Sequence, residues 1–296
     1  MAYHEGEIEV QSRAGVRTMA ERIGRGIYPV MPHIAQDFLS QQTIVAASSV
    51  DEAGNVWASL LTGKPGFLDP VDEQTLHIAA LPAIDDPLSQ NLAVNPHIGL
   101  VAIDFASRSR VRVNGSAVLQ ADGLLVQVEQ AYSNCPKYIQ ARTSLPVSYL
   151  SQPAVSRSEQ LTPAQSTFIV RADTLFIASY HPEGGADASH RGGNPGFIHV
   201  VNAGLLEFPD YSGNMMFNTL GNLTANPHAG LLFLDFDRGA TLQLTGQTEI
   251  IWDAERLAAI PGAERIISFQ IGQVIEHANA LPFNFQLHQY SPYNPT

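Results

Sequence analysis

An internal repeat constrains the fold more than any other feature of this 296-residue chain. Residues 91–115, NLAVNPHIGLVAIDFASRSRVRVNG, align without a gap to residues 222–246, NLTANPHAGLLFLDFDRGATLQLTG, at an offset of 131. Upstream, WASLLTGKPGF aligns with DASHRGGNPGF at an offset of 130, and TIVAAS with TLFIAS at 131. Three blocks in one order at nearly one offset indicate a duplication, because self-similarity at a fixed period marks repeated structural units.

Within each copy the residue pattern is typical of β structure. In the second copy, the apolar run GLLFLDF and the alternating segment TLQLTG flank turn-forming residues at 237–239, which predicts a hairpin. In the first copy, Arg110 and Arg112 alternate with valines along the matching strand. Because side chains alternate between the two faces of a strand, we expect the arginine face to be solvent-facing.

Short helices and many short strands define the expected architecture. Residues 85–96 and 218–227 are each predicted to contain one helix that ends at an Asn-Pro pair. The remaining pattern predicts a mainly β fold with minor α structure, in which two tandem antiparallel barrels limit exposed strand edges. We predict the first barrel at residues 41–150 and the second at residues 167–296, each the size of a domain.

Two segments fall outside the predicted barrels. Residues 1–40 show no match in the second copy, and we expect a helical extension that breaks near Gly24 and Gly26, resumes at Pro32 and covers one barrel. Residues 151–166 are rich in Ser, Gln and Pro and lack periodic apolar positions, which indicates a linker.

Composition excludes several classes of function. Acidic residues outnumber basic ones 28 to 16, so nucleic acid and anionic membranes are not expected partners. The single cysteine, Cys135, permits no intrachain disulfide, and without an HExxH spacing no metal site is expected. The N-terminal residues lack the apolar core of a signal peptide and the chain has no run of 18 apolar residues, so we expect a cytoplasmic protein.

The segment ASHRGGNPGF of the second copy is the first candidate for chemistry. It places Ser189, His190 and Arg191 before two glycines. Arg191 offers a charged fork for phosphate, and glycines let a flat ligand approach backbone amides closely. A tight glycine turn between strands, with an exposed arginine, explains the same residues without a ligand.

The segment FPDYSGNMMFNTLGNL is the second candidate. It places Asn214, Asn218 and Thr219 at a junction of strand and helix, where free backbone amides and side-chain donors can surround a phosphate. Helix capping by Asn218 or Thr219 is the alternative interpretation.

The first copy lacks this chemistry at the corresponding positions. Asp85 and Asp86 replace the neutral donors and would repel a phosphate, and Leu60 and Leu61 replace the histidine and arginine. We therefore expect one ligand site per chain.

The segment YSNCPKYIQAR near the end of the first copy is the third candidate. Lys137 and Arg142 are positive charges that an acidic protein could keep for a ligand. No histidine or acid lies within a few residues of Cys135, so we interpret this cysteine as a packed side chain and not a nucleophile.

Taken in order, these motifs resemble the pyridoxamine 5′-phosphate oxidase-related, flavin-nucleotide-binding family. The resemblance rests on DASHRGGNPGF, GNMMFNTLGNLTANPHAGLLFLDF and LQLTG in the second copy, and on HEGEIEVQSRAGVR, DEAGNVWASLLTGKPGF, RVRVNG and NCPKYIQAR in the first. It implies FMN-binding split barrels, here paired as an intrachain pseudo-dimer that holds FMN noncovalently between the barrels. It implies cofactor contacts from Ser189, His190, Arg191, Asn214, Asn218 and Thr219, with Lys137 and Arg142 on the opposing side.

One departure from the family bears on the substrate. The oxidases of the family use an Arg-Lys pair at the phosphate, whereas this chain has Asn218 and Thr219, which points away from pyridoxamine phosphate. We expect an FMN-dependent oxidoreductase with a small-molecule electron donor or acceptor. The alternatives are a non-catalytic module that binds flavin or heme, and a duplicated barrel that serves only in assembly. Dimerisation of the whole chain is left open.

Overall fold

The computed structural model describes residues 3–146 and 154–295, and its first half is built on one antiparallel sheet. The sheet has the order β2-β1-β5-β6-β7-β4-β3. Its strands are β1 (Ile44–Val50), β2 (Val56–Thr62), β3 (Leu68–Pro70), β4 (Thr75–Ile78), β5 (His97–Asp104), β6 (Ser109–Gln120) and β7 (Gly123–Ser133), with helix α4 (Leu88–Val94) before β5. The helix before β5 and the β5–β6 hairpin are those that the sequence predicts.

The second half repeats this topology, with the order β11-β10-β14-β15-β16-β13-β12 and a further strand, β9, on β16. Its strands are β9 (Ala154–Ser158), β10 (Thr174–His181), β11 (Gly185–Gly192), β12 (His199–Asn202), β13 (Leu205–Tyr211), β14 (His228–Leu234), β15 (Thr241–Ile251) and β16 (Ala263–Ala278). Its helices are α5 (Pro163–Arg171), α6 (Asn218–Ala225) and α7 (Ala254–Ala258). The shared strand order confirms a mainly β fold with two tandem barrels.

The repeat begins earlier than the sequence comparison predicts. Helix α3 (His33–Ser40) precedes β1 as α5 precedes β10. The amide of Gly66 donates to the carbonyl of Ser40, and the amide of Gly196 donates to the carbonyl of Val170 in the same arrangement. Residues 33–40 therefore have a counterpart in the second copy. The sequence comparison misses it because packing constrains the polar positions of a helix only weakly, so their residue types differ between the copies.

The alignment of the first strands also differs by one residue. Asn91 Nδ2 donates to Ser49 Oγ at 2.9 Å, and Asn222 Nδ2 donates to Ser179 Oγ at 3.0 Å. Ser49 is therefore the counterpart of Ser179, at an offset of 130 where the sequence alignment gave 131. A short strand of small apolar residues carries few side chains that fix its register.

The N-terminal extension contacts both barrels, whereas the sequence predicts cover over one. It contains α1 (Glu5–Arg13), α2 (Arg17–Ile23), a 3₁₀ turn (Gly24–Gly26) and α3. Its first break lies at Gly15, whose φ of 71° suits a residue without a side chain. Helix α1 packs on α6 of the second barrel, while Tyr28 forms a β-bridge with Ala131 of the first.

The described part of the predicted linker belongs to the second barrel. Strand β9 pairs with β16, and Thr162 caps α5 by accepting a hydrogen bond from the amide of Gln165 at 3.2 Å. Most of β9 is exposed at the edge of the sheet, so its residues lack the alternation that would reveal a strand.

The two barrels meet in a close, pseudo-symmetric interface. A Cβ on Gly99 would lie 2.5 Å from Asp187 Cα, and one on its counterpart Gly230 would lie 2.6 Å from the amide nitrogen of Ala58. The rings of Phe105 and its counterpart Phe236 pack edge to face with centroids 5.3 Å apart. The pairing of β8 (Ala141–Pro146) with β17 (Phe283–Gln289) closes the interface as a two-stranded ribbon.

Three of the four apolar clusters in the described structure stabilise this arrangement. One fills each barrel, and the third lies between them and includes Val101, Phe176 and Leu232, each at most 1% exposed. Burial of each such side chain contributes roughly 1.5–3 kcal/mol. No helix in the described part of the chain is long and apolar enough to cross a membrane.

Candidate functional site

A narrow cleft opens where the two barrels meet. Its cavity volume is about 70 Å³, and it opens to solvent. The first barrel contributes Arg110, Arg112, Asn134, Cys135 and Tyr138 to its lining, and the second contributes His190, Arg191, Gly192, Asn218, Thr219, Leu220 and most of residues 209–217. The site is therefore composite, with both copies of the repeat needed to form it.

A hydrogen bond between Arg110 and His190 joins the two walls. Arg110 Nη1 lies 2.7 Å from His190 Nδ1, and Arg110 Nη2 donates to the carbonyl of Cys135 at 3.0 Å. A guanidinium only donates, so Nδ1 must accept and the ring proton must lie on Nε2. Burial, and then the charge of Arg110, lower the pKa of His190 well below its ordinary value. His190 therefore presents a neutral ring whose buried Nε2 has no partner in the described structure.

A second cross-barrel contact is the buried ion pair of Arg112 and Asp187. Arg112 Nη1 lies 3.0 Å from Asp187 Oδ2, and Arg112 Nη2 donates to Ser189 Oγ at 2.5 Å. Tyr132 donates to the other carboxylate oxygen at 2.9 Å. Although burial opposes its charged form, the neighbouring Asp187 raises the pKa of Arg112 above its ordinary value. Arg112 is therefore charged and fixed in place.

Arg191 lies on the opposite wall and is shared between two partners. Its Nη1 donates to Ser189 Oγ at 2.6 Å, and its Nε lies 3.6 Å from Asp210 Oδ1. Arg265 holds the other oxygen of Asp210 at 2.8 Å. Of the charged side chains that line the described cleft, three are arginines and one is an aspartate, so the cleft is locally positive in an acidic protein.

The loop before α6 is the most strained part of the lining. Met215 and Phe217 have φ values of 63° and 62°, and Tyr138 across the cleft has 65°. Side chains rarely adopt this left-handed region, and such strain concentrates at functional sites. Phe217 occupies the position before α6 and makes no side-chain cap, so capping by Asn218 or Thr219 does not explain those residues.

The polar residues of this loop face specific partners. Asn214 Oδ1 accepts from the amide of Met216 at 3.0 Å. Thr219 Oγ1 donates to Asp187 Oδ2 at 3.4 Å, and Asn218 Nδ2 donates to Glu7 of the N-terminal helix at 2.6 Å. These bonds orient both side chains in the first turn of α6.

The structure brings most of the sequence-predicted site residues together. His190, Arg191, Asn214, Asn218 and Thr219 line the cleft. Ser189 lies behind the lining, where it accepts from Arg112 and Arg191, and so positions two cations.

Lys137 and Arg142 lie outside the lining, contrary to the expectation that they face the ligand. Arg142 is 5% exposed, is ion-paired with Asp173 and lies 4.1 Å above the ring of Phe236. Lys137 Nζ lies 6.0 Å from the ring of Tyr293. The chain turns at Tyr138 and runs into β8, which carries Arg142 away from the cleft.

The opposing side consists instead of Arg110 and Arg112, which sequence reasoning placed on a solvent-facing strand face. They are 8% and 5% exposed because that face of β6 meets the second barrel. The repeat alignment carried a signal for them, since they correspond to the uncharged Thr241 and Gln243. Positions that are charged in one copy and uncharged in the other mark a surface that the two copies do not share.

The two glycines after Arg191 serve packing between protein segments. A Cβ on Gly192 would lie 2.1 Å from the carbonyl oxygen of Tyr138, and one on Gly193 would lie 2.6 Å from the ring of Phe197. Gly192 therefore lets residues of the first barrel approach the end of β11, a use that the sequence does not reveal.

The corresponding place in the other half is filled by a carboxylate. Asp86 is 7% exposed, and its Oδ1 accepts from Ser59 Oγ at 2.6 Å and from the amide of Leu88 at 2.9 Å. Its Oδ2 accepts from Gln243 Nε2 at 3.0 Å. Ser59 is the counterpart of Ser189, and Gln243 that of Arg112, so Asp86 lies at the counterpart of the Ser189–Arg112 contact.

The described residues include no group of three or more His, Cys, Asp or Glu side chains arranged to hold a metal ion.

A family model described as pyridoxamine 5′-phosphate oxidase matches the chain twice, over residues 31–148 and 161–286. The two matches coincide with the two barrels and include α3 and α5. No curated protein matches the chain.

Several solved structures are similar to one barrel of the chain. HupZ of Group A Streptococcus is 11% identical, with 38% of this chain and 91% of that protein covered and a TM-score of 0.32. An F420 reductase is 18% identical, with 38% and 98% covered and a TM-score of 0.30. A FAD-binding protein of Mesorhizobium loti is 14% identical, with 42% and 98% covered and a TM-score of 0.29.

Proposed function

We propose that the cleft between the two barrels of this chain, which belongs to the pyridoxamine 5′-phosphate oxidase family, binds a flavin nucleotide, FMN. The observation that carries the proposal is a set of buried polar atoms without partners in the described structure, contributed by both walls. They are His190 Nε2, Arg110 Nε, Arg112 Nε and Asn134 Oδ1. Buried polar groups are normally hydrogen-bonded, so these atoms indicate a ligand rich in donors and acceptors.

The residues of the cleft fit the two chemical parts of FMN. A flavin ring is flat and carries hydrogen-bonding groups along its edge, which suits His190, Asn134 and the aromatic pair of Tyr138 and Tyr211, whose centroids are 5.2 Å apart. A phosphate suits Arg191 and the amides and side chains of the first turn of α6.

The proposed activity is that of an FMN-dependent oxidoreductase acting on a small molecule. The cofactor supplies the electron transfer when it is bound, and the protein supplies orientation and polarity. His190 holds a proton at its buried Nε2, and the cross-barrel arginines keep the walls in register.

A non-catalytic flavin carrier is the second candidate, and one observation favours it. Asp210, the acidic residue of the lining, is held by Arg191 and Arg265 and so is not free to act as a base. A protein that binds flavin without turnover needs no such base.

Binding is tested by titrating the purified chain with FMN, FAD and riboflavin and following flavin fluorescence. We expect FMN to bind more tightly than riboflavin. Arg191→Ala should weaken FMN binding by about 1.5–3 kcal/mol, the contribution of a hydrogen bond to a charged group. Arg256→Ala is the matched control, because Arg256 pairs with Glu207 on the surface of the same barrel. An unchanged affinity in Arg191→Ala would contradict the phosphate assignment.

Turnover is tested separately on the FMN-loaded protein. Under anaerobic conditions, NADH or NADPH should bleach the flavin absorbance, and a small-molecule acceptor should restore it. Failure of every donor, with FMN still bound, would favour the carrier.

A further inference from the structure

The N-terminal motif HEGEIEVQSRAGVR lies outside the strands of both barrels, yet its helix α1 packs on α6 behind the cleft. Helix α1 lies so close to α6 that a Cβ on Gly6 would lie 2.4 Å from the carbonyl oxygen of Gly221. A Cβ on Gly221 would in turn lie 2.6 Å from the backbone nitrogen of Glu7. Two glycines thus permit a helix contact that brings Glu7 to the first turn of α6.

Glu7 is the acidic residue at this contact. It is 4% exposed, its Oε1 accepts from Asn218 Nδ2 at 2.6 Å, and its Oε2 accepts from the amide of His4 at 2.8 Å. One turn later, Gln11 Nε2 donates to the carbonyl of Met216 at 2.8 Å. Helix α1 therefore holds the strained loop and Asn218 from behind.

The charged and titratable groups around Glu7 leave its charge without a strong partner. On its own helix, His4 Nε2 lies 3.5 Å away, but burial lowers the pKa of His4. His181 of β10 stacks on His4 with ring centroids 3.9 Å apart. Asp187 of β11 is a like charge, and Arg112 of β6 is already paired with it.

Arg17 of α2 is a further charged neighbour and donates to Gln11 at 2.6 Å, and Tyr3, Glu5, Glu129 and Glu183 line the same pocket as Glu7. Burial is the main cause that raises the pKa of Glu7 to about 7. Glu7 therefore changes protonation state near neutral pH.

The protonation state of Glu7 determines which face Asn218 offers to the cleft. An ionised carboxylate only accepts, so it takes the Nδ2 group of Asn218, as observed. A protonated carboxyl can donate to Asn218 Oδ1 instead. The amide would then turn, so that its Nδ2 group points into the cleft as a donor for an anion.

We propose that Glu7 is a positioning residue of the cleft, which sets the orientation of the Asn218 amide and couples the binding of a phosphate-bearing ligand to the uptake of one proton. The inference rests on the proposed function, with FMN as that ligand. Protonation of Glu7 favours phosphate binding in two ways, because it removes a negative charge near the phosphate and lets the Asn218 amide donate a hydrogen bond to the phosphate.

The first test compares the FMN affinity of the wild type, Glu7→Gln and Glu9→Gln between pH 6 and pH 8.5. Glutamine is neutral and can donate to Asn218 Oδ1, so it mimics the protonated state. At pH 6 we expect Glu7→Gln and the wild type to bind FMN equally tightly. At pH 8 we expect Glu7→Gln to bind FMN roughly tenfold more tightly than the wild type does. Glu9 is exposed on the same helix, and Glu9→Gln should follow the wild type at every pH.

Comparing variants at each pH cancels the titration of the phosphate of FMN, whose second pKa is about 6. A ratio of affinities between Glu7→Gln and wild type that does not change with pH would overturn the inference while leaving the proposed function intact. If FMN binds none of the three proteins at any pH, the proposed function and the inference both fall.

A second measurement needs no variant and so does not depend on how Glu7→Gln folds. Calorimetric titration of the wild type with FMN at pH 7.5, in two buffers of different ionisation enthalpy, counts the protons exchanged. We expect uptake of at least about half a proton per FMN bound, since Glu7 is mostly ionised in the free protein at that pH. FMN binding without proton uptake would overturn the inference.

Discussion

At the scale of single residues, the hydrogen bond between Arg110 and His190 defines the site. Sequence analysis selected His190 from a glycine-rich motif but assigned it no partner, and it left Arg110 on a solvent-facing strand. The 2.7 Å contact fixes the tautomer of the histidine and buries both side chains across the barrel interface. A residue of the first copy therefore determines which atom the second copy presents to a ligand.

This contact predicts different outcomes for two arginines of the first barrel. Arg110→Ala should weaken FMN binding at least about tenfold, because a buried charged hydrogen bond to His190 is lost. Arg142→Ala should leave FMN affinity unchanged but lower the free energy of unfolding by about 3–5 kcal/mol, since Asp173 would remain buried without its partner. Fluorescence titration and denaturant unfolding measure the two effects. The reverse result, with affinity lost only in Arg142→Ala, would restore Arg142 to the site.

Glu7 predicts a pH dependence of stability that does not require a ligand. Because burial raises its pKa from 4.5 to about 7, its contribution to stability is fully present below pH 4.5 and is lost as pH rises to about 7. Glu7→Gln should therefore be more stable than the wild type at pH 8, by about 1–2 kcal/mol, and not at pH 5. Thermal unfolding at both pH values checks this, and an equal difference at both would show that Glu7 does not titrate in this range.

At the scale of secondary-structure elements, glycines let strands of the two barrels approach each other closely. Gly99 on β5 lies against β11, the strand that carries Asp187, Ser189, His190 and Arg191. The approach of β5 to β11 therefore sets the width of the cleft at its base.

This proximity predicts that Gly99→Ala damages both the fold and the site. The added Cβ would lie 2.5 Å from Asp187 Cα, a backbone position that cannot move independently of β11. We expect a loss of about 1–3 kcal/mol in stability, typical of overpacking, together with weaker FMN binding. Gly26→Ala is the control, because nothing lies within 4 Å of the position of its Cβ. Normal stability and FMN affinity in Gly99→Ala would mean that the two strands can separate freely.

At the scale of the whole molecule, the two tandem halves share one topology but differ in the residues at corresponding places. The second half keeps a cleft, while Asp86 and its three hydrogen bonds fill the corresponding place in the first. Burial raises the pKa of Asp86, as expected for a carboxyl enclosed by neutral groups.

The asymmetry predicts a binding stoichiometry of one FMN per chain. Asp86 and its hydrogen-bond partners belong to the chain itself, so the ratio of bound FMN to chain should stay at one when FMN is saturating. Calorimetric titration against a protein concentration fixed by amino-acid analysis measures it. Two FMN per chain would require the Asp86 cluster to open.

The sequence by itself determined the duplication, the β class of both halves, the family and most of one wall of the cleft. Local periodicity and motifs such as SHRGG and GNMMFNT indicate these features, because residues that are neighbours in such motifs remain neighbours in space. Only the tertiary structure decided the opposing wall, the removal of Lys137 and Arg142 from the site, and the place of Glu7 behind Asn218. Those depend on contacts between residues 31 to 211 positions apart, across an interface between two barrels. Local pattern cannot encode such contacts, because each strand face looks solvent-facing until the partner that buries it is known.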